Sequence, residues 1–279
     1  MKIQLSLPSK MHYVLRIAVA MCFIGHGAFG IITKQIWCNY FAVFGIEQQL
    51  AYRLMPFVGI VDIVLGVFML IYPFRFIPTW LVVWGIVTAL LRPLSGEPFA
   101  EFIERAGNFG APLALLILSG FSIKRKDLLK PVSSSFEPDE DVMIQLSVCL
   151  RVVVFLLLAG HGWLNMIGKK GLLAQYTSLG FTNPENVATV IGAFEIAAAF
   201  FVLIKPLRPV LIVLFAWKMF SEMFYPHYVL FEWIERGGSY GSILALWMIA
   251  GNYSLVTNRK KNRPLRKIPE PISLNIVAC

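Results

Sequence analysis

A chain of 279 residues with 57% apolar and only 15% charged side chains is too apolar for an ordinary soluble domain, which carries about 25% charge. Its mean hydropathy is +0.69, and its 22 Phe, 7 Trp and 9 Tyr suit lipid-facing and interfacial positions. The net charge of +9 falls in short runs between apolar stretches, a pattern that argues for an integral membrane protein and against nucleic-acid binding.

The first segment, "MKIQLSLPSKMHYVLRIAVAMCFIGHG", has basic residues followed by an apolar run to about Ile32. It carries no A-x-A cleavage site, so it reads as a retained span. A bilayer-crossing helix needs about 20 apolar residues. Eight segments qualify: 11–33, 53–72, 76–94, 106–122, 144–167, 187–204, 207–226 and 239–257. The short connections "YPFRFIP" and "KPLRP" each join antiparallel neighbours. Lys2, Lys10, Arg75, Lys124, Arg125, Lys126, Lys130, Lys205, Arg208 and the run from Arg259 to Arg263 gather on one side. That side is predicted to be cytoplasmic, with both termini there. The acidic run "FEPDEDV" at 136–142 is expected to be a solvated part of the linker.

The segments repeat. At an offset of 135, "LRIAVAMCFIGHG" matches "LRVVVFLLLAGHG", which aligns Arg16 with Arg151. At 133, "GIVDIVLGVFMLIYP" matches "GAFEIAAAFFVLIKP", which aligns Asp62 with Glu195. At 131, "EFIERAGNFG" matches "EWIERGGSYG". An even number of spans per copy gives a parallel repeat. The predicted fold is therefore all-α and membrane-integral, with eight transmembrane helices in two four-helix bundles. The first bundle covers 1–122 and the second 144–257, with a cytoplasmic linker at 123–143 and a basic cytoplasmic tail at 258–279.

Ionisable groups inside spans are costly and usually face the bundle interior in pairs. His161, Glu195 and Lys218 lie about 9–12 Å from the outer ends of their spans, at about 1.5 Å per residue. Glu222 is one turn from Lys218 and can pair with it. The first copy offers His26 and Asp62, but Gly85 and Ala89 replace the lysine and glutamate. The second copy is therefore the stronger candidate for chemistry. These six residues are candidates for proton transfer or for lining a pocket, and the catalytic group is otherwise open. His26 and His161 are the candidates for cofactor binding. The bland reading is that each histidine bonds the carboxylate of the next helix and locks the bundle. Glycines beside each histidine let a helix or a flat ligand approach the backbone. The loops carrying Glu104, Arg105, Glu235 and Arg236 are expected to cap the fourth span and close the bundle mouth. Arg16 and Arg151 are expected to reach lipid phosphate. No metal site is assigned. The four cysteines form no CxxC or zinc spacing, and no G-x-S-x-G, P-loop or HExxH occurs.

The elements "GHGWLNMIGKKG", "SLGFTNPENV" and "GAFE" resemble the DoxX family, within the wider DoxX, DoxD and MauE group, and the resemblance covers both halves. It implies a four-helix membrane fold, here in tandem, in a bacterial inner membrane and linked to redox systems. It also implies membrane lipid and a periplasmic or membrane redox partner protein as partners, with quinone or haem as the possible cofactor. The leading functional reading is a membrane subunit of a redox system, a non-catalytic or accessory subunit of a quinone-linked oxidoreductase. The alternatives are a non-enzymatic chaperone or receptor for a lipid or exported client, and a small-solute transporter. The transporter reading is weakened because no span is visibly broken at corresponding positions.

Overall fold

A computed structural model describes residues 5–121, 124–224 and 230–251, and every regular element among them is helical. The helices are α1 Leu7–Ile31, α2 Trp37–Ala42, α3 Gln48–Ile71, α4 Phe76–Leu94, α5 Ala100–Glu104, α6 Ala106–Leu118, α7 Arg125–Leu128, α8 Glu140–Met166, α9 Lys170–Ser178, α10 Pro184–Ile204, α11 Arg208–Met223, α12 Leu230–Glu235 and α13 Gly237–Ala250. The ends of the predicted spans at 225–226 and 252–257, Lys2 and the tail at 258–279 lie outside the described residues.

Local chemistry sets the helix starts. Ser6 accepts the Ser9 N–H at the start of α1, and a proline stands in the first turn, where its missing N–H costs nothing. Asp139 accepts the Val142 N–H at 2.8 Å and so starts α8. The acidic run expected to be merely solvated thus caps a helix and places Glu140 and Asp141 at its positive end.

Five helices, α1, α3, α4, α8 and α10, are long and apolar enough to cross a membrane. The other three predicted spans are shorter. α11 has 16 residues, α6 has 13 and α13 has 14. The last two each follow a turn at an arginine, and these lengths are those among the described residues. Arg105 (φ −86°, ψ 15°) ends α5 and begins α6, and Arg236 (φ −74°, ψ 2°) stands between α12 and α13. Each half therefore turns at the same aligned position, just before its predicted fourth span, where the sequence placed a loop.

One apolar core joins both halves. It includes Leu15, Val19 and Phe23 of α1, Leu150 and Leu157 of α8, Leu115 of α6 and Leu246 of α13. α1 packs on α3 but also on α12 and α13, and α8 packs on α10 but also on α5 and α6. The turn and fourth span of each half thus lie against the first helix of the other. Large apolar side chains point outward from α3 and α10. Phe57, Ile71, Val190 and Ile204 are each at least 69% exposed, as contact with lipid would require.

The two GHG triplets sit at these crossings. A Cβ on Gly25 would lie 2.6 Å from Cα of Glu235, and one on Gly160 would lie 2.6 Å from Cα of Glu104. The second glycine of each triplet, Gly27 or Gly162, meets the carbonyl oxygen of Gly59 or Gly192 on the next long helix of its own half. Each histidine is therefore flanked by two backbone-to-backbone contacts, one with each half of the chain.

Gly25→Ala and Gly160→Ala are each expected to destabilise the detergent-solubilised protein by about 1–3 kcal/mol, the usual cost of overpacking. Helix propensity alone favours alanine by about 1 kcal/mol. The sign of the change in thermal unfolding therefore tests the close approach.

Candidate functional site

Each histidine is tied to the carboxylate on the next long helix. Nδ1 of His26 lies 2.7 Å from Oδ2 of Asp62, and Nδ1 of His161 lies 2.6 Å from Oε2 of Glu195. An ionised carboxylate only accepts, so Nδ1 carries the proton and Nε2 is left for another partner. A tryptophan completes each group. The indole N–H of Trp84 donates to Asp62 at 3.3 Å, and that of Trp217 donates to Glu195 at 3.0 Å. Both carboxylates are buried. The two tryptophans were not singled out from sequence, although the offset of 133 that aligns Asp62 with Glu195 also aligns them.

The surroundings of the two groups differ. The ring of Trp37 lies 4.7 Å from that of His26, tilted by 32°. In the second half Asn165 is 3.3 Å from both His161 Nδ1 and Glu195 Oε2, and it accepts the Tyr176 hydroxyl at 2.6 Å. The residue aligned with Asn165 in the first half is Gly30. Lys218 and Glu222 pair at 2.7 Å, as their spacing predicted.

A network of ion pairs lies between the two groups. Lys34 binds Glu232 at 2.5 Å, and its counterpart Lys169 binds Glu101 at 2.6 Å. Both bonds cross from one half to the other. Arg105 holds Glu101 at 2.6 Å and Glu104 at 2.8 Å. Arg236 reaches across to Glu104 at 2.5 Å and approaches Glu222 at 3.8 Å. Arg92 holds Glu97 at 3.0 Å and approaches Glu101 at 3.4 Å. Glu101, Glu104 and Lys218 are each at most 2% exposed. The expected capping role is not what these residues perform. Neither α6 nor α13 has a side-chain cap, because Arg105 and Arg236 turn to the glutamates instead. Glu235 lies in the wall of the His26 pocket.

Two pockets open beside the histidines. The first is walled by His26, Phe29, Trp37, Tyr40 and Trp84, with Lys34, Arg92 and Arg105 adding positive charge. The second includes His161, Tyr176, Trp217 and Glu222. Among the described residues, neither lining contains a second imidazole, a thiolate or a thioether. Each pocket therefore offers a haem a single imidazole nitrogen, whereas a flat quinone head group needs only aromatic walls and a proton partner. His161, Glu104 and Glu222 each bring one ligand atom within 4.8 Å of the others. Arg105, Arg236 and Lys218 already engage those carboxylates, so the cluster is poorly suited to a dication.

Compared with known proteins, the chain matches no family model, no curated protein and no solved structure.

Glu104 precedes the fourth apolar segment. Burial pushes its carboxyl up, but Arg236 and Arg105 outweigh burial and hold it well below the ordinary value of 4.5. A depressed carboxylate stabilises the fold above its unfolded value, and that stability is lost as pH falls through the folded one. Thermal stability is therefore expected to fall below about pH 4.5. Glu104→Gln leaves two arginines under-paired and is expected to cost about 3–5 kcal/mol at pH 7. It should also flatten the acid limb of the stability curve, measured between about pH 3 and 7.

Proposed function

We propose that the chain is a tandem DoxX-like protein of eight spans, a membrane subunit of a redox system that binds a quinone-type head group beside His26. The observation that carries the reading is the His26–Asp62 bond at 2.7 Å in a pocket walled by aromatic rings and edged by Arg92 and Lys34. When bound, a quinone supplies two-electron, two-proton chemistry. The residues of this chain would handle the proton and the fit. Trp37 and Trp84 present flat faces to a ring. Nε2 of His26 would take or return a proton at the head-group oxygen, and Asp62 would stabilise the imidazolium so formed. Arg92, Lys34 and Arg105 would favour the form of the ligand with more negative charge. No electron-carrying motif occurs in the chain, so a periplasmic or membrane partner protein would exchange the electrons.

The paired turns at Arg105 and Arg236 lend one observation to the transporter reading. Against it, Lys34, Lys169 and Arg236 each bind a glutamate of the opposite half. Rocking one half against the other would break these pairs.

Solvent extraction and mass spectrometry of the purified protein are expected to find near-stoichiometric quinone. His26→Ala and Trp37→Leu should each lower it at least about tenfold, the loss of about 1.4 kcal/mol of binding. Quinone-free wild-type protein that retains its fold would overturn the reading and leave the client-binding alternative.

A further inference from the structure

At the end of the bundle opposite the histidines, a cleft is lined by Ser147, Arg151, Ile204, Lys205, Pro206, Leu246 and Ala250. Ser147 is 1% exposed, and its oxygen has no hydrogen-bond partner among the described residues. A buried hydroxyl of this kind costs about 1–3 kcal/mol unless something completes it. Two cations, Arg151 and Lys205, share the cleft. α11 begins at Arg208, three residues after Lys205, and no side chain caps it, so its positive end adds to the field.

The first half has diverged at the same place. By the alignment offsets, His12 stands for Ser147, Tyr72 for Lys205 and Arg16 for Arg151. His12 is 2% exposed, so a large ring occupies what a small hydroxyl leaves open. Arg16 donates to the carbonyl oxygens of Met69, at 2.7 Å, and Leu70, which ties it to the end of α3. The second half thus has a small hydroxyl and a lysine where the first has an imidazole and a phenol. A hydroxyl and two cations beside an uncapped helix start match a phosphate group. Exposed Ile204 and the outward apolar face of α10 place acyl chains beside it.

We propose that this cleft binds the phosphate of an anionic membrane lipid. The proposal does not depend on the quinone reading. Its test uses the full-length protein in detergent, with native mass spectrometry and thermal unfolding under titration by phosphatidylglycerol, phosphatidylcholine or sodium phosphate. Phosphatidylglycerol is expected to bind and to raise the unfolding temperature, and phosphatidylcholine is not. Ser147→His, which installs the first half's residue, and Lys205→Gln should each weaken phosphatidylglycerol binding about tenfold, or about 1.4 kcal/mol. His26→Ala should not change it. Lys205 is exposed, so its replacement keeps the test valid if Ser147→His fails to fold. Equal effects of the two lipids, or full phosphatidylglycerol affinity in Lys205→Gln, would overturn the proposal. An equal effect of sodium phosphate would overturn the lipid assignment and make the ligand the free anion.

Discussion

The structure depends on two short helices being pressed against glycines. α5 and α12 bring the backbones of Glu104 and Glu235 into contact with Gly160 and Gly25. That contact places charged side chains at the centre of an apolar fold. Burying them is unfavourable, and only close pairing offsets the lost hydration. Arg105 between two glutamates and Arg236 reaching Glu104 across the halves satisfy this requirement. The glycines and the ion pairs are therefore one device. Without the close approach the arginines and glutamates would not meet, and without the pairing the approach would bury unpaired charge.

This arrangement also gives the paired turns a physical cause. An unbroken helix through Arg105 would keep its side chain near Glu101, four residues back, but turn it away from adjacent Glu104. The turn lets one guanidinium reach both, along with the Glu101 carbonyl oxygen at 3.0 Å. Five helices are long enough to span a bilayer, and two of the shorter ones, α6 and α13, begin at the turns that carry these charges.

Much of this was legible in the sequence. Apolar run length located the helices, and the offsets of 135, 133 and 131 located the histidine–carboxylate pairs. The spacing of Lys218 and Glu222 gave their pairing, because residues four apart share a helix face. The crossing contacts were not legible. An offset aligns like with like, Glu104 with Glu235, and cannot say that Glu104 meets Gly160 instead of Gly25. The turns at Arg105 and Arg236 lie where the sequence placed loops, just before the fourth spans. "ERAG" and "ERGG" read as loop followed by span.

The second half looked the better candidate for chemistry because it holds more ionisable residues. Geometry argues the reverse. Glu195 uses separate oxygens for His161 and Trp217, and Asn165 with Tyr176 adds a further brace. Asp62, one methylene shorter, serves His26 and Trp84 through the same oxygen, and the indole bond lengthens to 3.3 Å. The His26 side chain is 17% exposed and that of His161 only 8%. Extra polar residues in the second half are thus spent on satisfying one another. The simpler first half keeps a histidine that is oriented by a buried carboxylate yet open to an aromatic pocket, and that combination is what exchange with a ligand requires.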